Sequence, residues 1–276
     1  MALLPSNEVT LPIGLDWEGE RYRTIRIDEM TGVDEENLSK KEIRNNGAKA
    51  VSRLLRRCVQ EIVGLTEGKS DPFMLLSADL FRRMYVADRD FLFISIRLLG
   101  MDPEIEISLQ CPNCSEKNSI EIDLAKMDVL EWEGPEDNPT SRPCVEVKLP
   151  RGIERDGVVY KDVVWNFPKG SLQERIAGLP RHEVQTATLA ACLTVPDMEG
   201  PLDSETVKRM SFRDREHAMT IVSEWTPGVD LRHEAICDRC DWSWLASISP
   251  ANFIRGGNKA PKRATKSGAR GRLKKR

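Results

Sequence analysis

Two Cys-x-x-Cys pairs constrain this chain more than any other feature: Cys111-Pro112-Asn113-Cys114 and Cys237-Asp238-Arg239-Cys240, separated by more than 120 residues. Each pair stands between strand-like runs, 105–109 and 119–124 around the first, 232–236 and 242–248 around the second. A cysteine pair at a hairpin tip is half of a zinc ribbon. Two thiolates spaced by two residues can face one ion, and two such pairs complete a tetrahedral shell. The spacing predicts one zinc held by Cys111, Cys114, Cys237 and Cys240, stapling the middle of the chain to its end. Two disulfides or a dithiol redox pair are the alternatives. A redox pair normally opens a helix, where the dipole lowers the thiol pKa, whereas these sit between strands. Four thiolates leave no coordination place for water or substrate, so the expected zinc is structural rather than catalytic.

A chain of 276 residues accommodates one large domain or two small ones, and 40% hydrophobic content with six Trp supports a packed core. Seven cysteines leave Cys58, Cys144 and Cys192 outside the pairs. Cys58 and Cys192 fall on apolar faces of expected helices, where a thiol serves as a small buried hydrophobe. Unpaired thiols beside a zinc site fit a reducing cytoplasm. The first residues have neither a basic start nor a long apolar run, so no signal peptide is expected, and no stretch approaches a membrane span.

The net charge of −3 conceals an asymmetry. Residues 255–276 carry ten Lys or Arg and no acid, which leaves residues 1–254 at −13. Leu273 is the one apolar residue larger than Ala in residues 256–276, so this segment reads as a disordered basic tail that cannot fold alone. Its Lys262, Arg263, Lys266, Arg270, Arg272, Lys274, Lys275 and Arg276 are candidates for contact with nucleic acid or an acidic protein surface. A merely solubilising end is the plain alternative, and the tail offers no aromatic on which a base could stack.

Alternation around residues 16–19 predicts a hairpin from 11–15 and 22–27. From Ala48 the period becomes helical through Val51, Leu55, Cys58 and Ile62, with Gly64 placed to end the helix. The opposite face carries Arg53, Arg56 and Arg57, a solvated face interrupted by Glu61. Ser77 caps what reads as one long helix to Gly100, striped by Leu80, Met84, Ala87, Phe91, Ile94 and Leu98 and apolar over most of its circumference. Such a helix belongs in the core or meets a partner. Residues 128–143 read as an exposed loop, and 145–149 with 158–167 as a second β unit. Ser171 with Glu174 reads as a capping box. Helices follow, opened by Asp203 and by Ser211, the last burying Ala218, Ile221, Val222 and Trp225. The expected class is α+β: a helical core with β-hairpins, and a four-cysteine zinc ribbon made from two distant halves. The expected organisation is a hairpin segment with its connection (1–46), a helical and β body closed by the split ribbon (47–254), and the tail (255–276).

Searches for catalytic patterns fail. There is no P-loop, no GxGxxG after a strand, no GxSxG and no HExxH. His182, His217 and His233 are far apart and lack ligand spacing with a carboxylate, although His233 precedes the second cysteine pair. Asp88 and Asp90 are two apart on a helix and so point to different sides. Nothing here forms an acid–base pair, and no enzyme is expected.

One block carries a likeness. Residues 57–129 run through "RCVQEIVGL", then "DPFMLLSADLFRRMYVADRDFLFISIRLLGMDPEIEISLQCPNCSEKNSIEIDLAKMDV". A helix ending after a Cys-Val pair is followed by a helix with an Ile96-Arg97 pair, a strand, a Cys-Pro-x-Cys knuckle and an Ile-Asp-Leu strand. This order resembles the baseplate and tail-assembly protein family of contractile-tailed bacteriophages, which includes a hub assembly protein of the T-even phages and has relatives in phage-like contractile injection systems. The later "CDRCDWSWLASISPANFI" is similar to the second knuckle and closing segment of such proteins. The resemblance implies a non-enzymatic protein that works by contact with other baseplate, hub or tail-tube subunits, in the cytoplasm during assembly or in the finished particle. A zinc-ribbon nucleic-acid-binding protein using the basic tail is the rival reading, and the −13 body counts against it.

Overall fold

The computed structural model describes residues 3, 5–39, 46–67, 75–134, 141–196, 198 and 202–248. The basic tail lies outside the described residues. Strands β1 (Glu8–Trp17) and β2 (Glu20–Ile27) form a hairpin, closed by Glu18 and Gly19, both at positive φ as a two-residue turn of this hand requires. Helices α1 (Gly32–Ser39) and α2 (Gly47–Cys58) follow, then β3 (Val59–Ile62), α3 (Ala78–Arg83) and α4 (Val86–Gly100). The first ribbon half is β4 (Glu104–Gln110) and β5 (Lys117–Asp123), followed by the short β6 (Val129–Leu130). A second β unit contains β7 (Cys144–Arg155) and β8 (Val158–Asn166), with β9 (Leu193–Thr194) added beside β8. Helices α5 (Gly170–Ile176), α6 (Arg181–Cys192), α7 (Ser204–Arg209) and α8 (Phe212–Trp225) belong to this half. The short β10 (Gly228–Val229) pairs with β6, and β11 (Arg232–Ile236) with β12 (Ser243–Ser247) makes the second ribbon half. Mixed helix and strand make the fold α+β.

The buried apolar residues gather in two clusters. One joins β1–β3, α2–α4 and the roots of both ribbon halves, through Leu55, Phe81, Phe93, Ile105 and Ile248 among others. The other fills the space between β7–β9 and α5–α8, through Val147, Trp165, Leu189 and Val207 among others, and takes in Ile13 and Tyr85. The apolar stripe of α3 and α4 is core: Leu80, Phe81, Met84, Phe91, Leu92, Phe93, Ile94 and Ile96 are all buried.

Three polar side chains of the same region bind distant segments. Asp88 on α4 is fully buried and accepts N–H from Ile13 (2.8 Å) and Gly14 (3.0 Å), at the irregularity where β1 loses register with β2. Gly14 sits there at φ 111°, with its missing Cβ facing the stems of Arg21 and Arg23. Arg89, also fully buried, donates to the carbonyls of Phe81 (2.7 Å) and Ala48 (2.8 Å) and to Gln173 Oε1 (3.2 Å). Gly170 is packed against its guanidinium so closely that any Cβ would overlap it. Glu174 ion-pairs with Arg82 (3.1 Å) and accepts from Ser52 (2.5 Å).

Five readings of the sequence are corrected. The helix expected from Ala48 to Gly64 ends at Cys58, because Val59–Ile62 leaves it to pair with β2; the cross-strand bonds outweigh the helical spacing of Ile62. The helix expected from Ser77 to Gly100 is two. Met84 and Tyr85 are extended, and this stretch bonds to residues 168–170, Val86 N–H to Pro168 O and Gly170 N–H to Met84 O, both 2.9 Å. Ser171 caps nothing: α5 begins at Gly170, and Glu174 turns to Ser52 and Arg82 instead. The supposed loop at 128–143 opens with β6 and then seats Trp132 edge-on against Phe167 (5.8 Å between ring centroids), while 135–140 lie outside the described residues. Trp225 is 63% exposed. It is the last residue of α8, and the chain turns extended at Thr226. The caps at Ser77, Asp203 and Ser211 are all present.

Candidate metal centre

The two cysteine knuckles adopt the same turn. In the first, the Cys111 N–H donates to Glu116 O (2.8 Å) and the Ser115 N–H donates to Cys111 O (3.0 Å). In the second, Cys237 donates to Trp242 O and Asp241 donates to Cys237 O, both at 3.0 Å. The fourth residue after the leading cysteine has positive φ in each, 61° at Ser115 and 55° at Asp241. The carbonyl of that leading cysteine is thus turned back into the hairpin, leaving the two thiols on one side.

The fold brings the knuckles together. Cys111 Sγ is 3.8 Å from Cys240 Sγ and Cys114 Sγ is 3.5 Å from Cys237 Sγ, across sequence separations of 129 and 123 residues. All four sulfurs lie within 4.8 Å of one another. A disulfide needs about 2.05 Å, and all seven cysteines are free. Four sulfurs around a tetrahedral ion at Zn–S of about 2.3 Å stand about 3.8 Å apart. The donor set and its spacing therefore fit a four-thiolate metal, and the cluster could bind one. Cys111 and Cys237 are buried, while Cys114 and Cys240 are partly exposed.

Four adjacent thiols cannot all ionise without a compensating charge. For Cys237, burial raises the pKa, but N–H groups of Arg239 and Cys240 and the neighbouring thiols outweigh it, and the pKa falls to about 6. For Cys114, the Glu116 N–H acts to lower the pKa, but desolvation and the surrounding thiols dominate and push it to about 12. One proton leaves readily and the next is held, which is how coupled like charges titrate. A bound cation favours the thiolate at every position.

A side chain that sequence reasoning overlooked laces the two halves. Asn118, 2% exposed, donates through Nδ2 to Glu116 O (3.1 Å) and accepts at Oδ1 from the Asp238 N–H (2.9 Å). Asn113 Nδ2 lies 3.6 Å from Cys240 Sγ, and Arg239 pairs with Glu116 at 3.3 Å on the surface. The one signal available in sequence was a short amide four residues past the first knuckle, facing a partner 120 residues away. His233 stands on β11 outside the cluster; His182 and His217 are on α6 and α8. Asp88 and Asp90 do point apart: Asp88 holds the β1 irregularity and Asp90 meets Gln173. Among the described residues, the four cysteines are the only group of three or more metal-type ligands close enough to share an ion. Lys262 to Arg276, offered as a contact surface from sequence, lie outside the described residues. No described helix is long and apolar enough to cross a membrane.

No curated protein and no solved structure matches the chain. Residues 5–162, from β1 through most of β8, match the family model described as T4 bacteriophage base plate protein. The match takes in the first knuckle and ends before the second. The chain belongs to the T4 bacteriophage base plate protein family.

Proposed function

We propose that this protein is a non-enzymatic component or assembly factor of the baseplate hub in a contractile phage tail or phage-like injection system, acting by contact with neighbouring tail subunits. The match of residues 5–162 to the base plate family carries this reading. A structural family points to work by binding surfaces rather than by turnover. Cys111, Cys114, Cys237 and Cys240 would hold a zinc ion whose closed four-thiolate shell supplies structure and leaves no open position for chemistry. Such an ion contributes on the order of 10 kcal/mol of binding free energy that is also folding free energy. The division we adopt is a hairpin segment to residue 46, a body from 47 to 254 that the metal closes, and a basic tail.

The rigid ribbon also displays apolar side chains. Ile236 (62% exposed), Trp242 (51%) and Leu245 (64%) stand out on the second half, two of them on the same outer face of the β11–β12 hairpin. Exposed residues of this size suit burial against another subunit. The test is co-purification of the full chain with hub and wedge subunits expressed together. Stable co-assembly is expected. Tail particles that form normally without the protein, with no tail component retained by it, would overturn the proposal.

A further inference from the structure

The second ribbon half is a sheet of only two strands, so each strand has one edge outside its ladder. The ladder bonds fix which residues face that edge. Cys237 donates to Trp242 O and Ile248 donates to Leu231 O. By the alternation of an antiparallel pair, Trp244 and Ala246 bond inward to β11, while Ser243, Leu245 and Ser247 turn their N–H and C=O outward. Among the described residues no other segment bonds to those outward groups, and Leu245 stands 64% exposed at their centre.

Exposed edges are ordinarily blunted by charge, proline or a bulge. β12 has none of these: it reads Ser-Trp-Leu-Ala-Ser, with no charged residue and a polar–apolar order that is the same in both directions about Leu245. Laid antiparallel on itself, it sets Leu245 against Leu245 and Ser243 against Ser247, with no like charges opposed. The other ribbon edges lack this property. Self-pairing of β11 about its centre opposes Glu234 to Glu234. On β4 and β5, Glu104 already faces Asp123 and Glu106 faces Glu121, so a copy alongside adds acid to acid. We propose that β12 pairs antiparallel with β12 of a second copy, centred on Leu245, so that two ribbon halves form one four-stranded sheet. Each outward pair would exchange two N–H···O bonds, and the contact is self-complementary, as a closed dimer requires. Ile236, diagonal to Leu245 on the outer face, would extend the apolar stripe across both chains. The pairing goes beyond the baseplate reading and does not depend on it.

Sedimentation velocity of the zinc-loaded full chain, alone and over a range of concentrations, tests this. A reversible monomer–dimer equilibrium is expected. Leu245→Pro removes an N–H that faces away from β11, so the chain should keep its zinc and stay monomeric. Ser243→Lys with Ser247→Lys sets like charges opposite at both ends and should raise the dimer dissociation constant by about 2–30-fold. Ser243→Lys with Ser247→Glu sets opposite charges there and should not raise it. A wild-type chain that stays monomeric overturns the proposal, and co-purification with tail subunits scores the baseplate reading separately. A dimer that survives Leu245→Pro, or that the two charge variants weaken equally, overturns it as well.

Discussion

Asn118→Ala isolates the bond between the ribbon halves without touching a cysteine. Its Oδ1 receives the Asp238 N–H at 2.9 Å, immediately after Cys237, and its Nδ2 serves Glu116 O at 3.1 Å, immediately after the first knuckle. Truncation leaves one donor and one acceptor without these partners at a site where the amide is 2% exposed. An orphaned buried group costs about 1–3 kcal/mol, and the bond to Asp238 is made only when the halves are together. Supporting groups around a metal typically change affinity by about 10–100-fold, which is about 1.4–2.8 kcal/mol, the same range. Zinc affinity measured by competition with a chromophoric chelator should therefore fall by about that factor, and the zinc-loaded protein should melt lower. The control is Lys117→Ala, an exposed neighbour on β5, which should leave affinity unchanged. An Asn118→Ala protein that binds zinc as tightly as the wild type would refute the view that this amide holds the halves in register.

Other outcomes follow from the buried charges. Gly170→Ala should cost about 1–3 kcal/mol by overpacking against Arg89, and chemical denaturation should show most of that cost vanishing in an Arg89→Met background, where the guanidinium is gone. Burial raises the Asp88 carboxyl to about 7, against the opposing N–H bonds from Ile13 and Gly14. The folded state thus keeps a proton that the unfolded chain releases near pH 4, and this contribution to stability is lost as pH rises through 7. Urea unfolding should show about 2 kcal/mol lost from this group between pH 5 and 7, and Asp88→Asn should flatten that slope. An unchanged slope in the variant would assign the pH dependence elsewhere.

The cysteine knuckles and their strands were legible in the sequence because they are local: a two-residue spacing, a turn and alternating flanks. Helix caps at Ser77, Asp203 and Ser211 were legible for the same reason, since the cap and the amide it serves are three residues apart. What escaped depends on distant partners. Nothing near Met84 and Tyr85 announces that residues 168–170 will claim their backbone bonds. Helical spacing placed Ile62 on a helix face, but β2 offered Val59–Ile62 a ladder. Asp88, Arg89 and Asp90 look like a solvated turn of helix, yet each finds its partner on another element. Asn118 belongs with them: its role appears only when the second knuckle closes over the first.

The account stands on one ion shared by two distant knuckles, and native mass spectrometry of the full chain reads this directly. One zinc per chain is expected, with none left in either Cys111→Ser or Cys237→Ser. A native protein without metal, or a full equivalent of zinc retained in either variant, would contradict it.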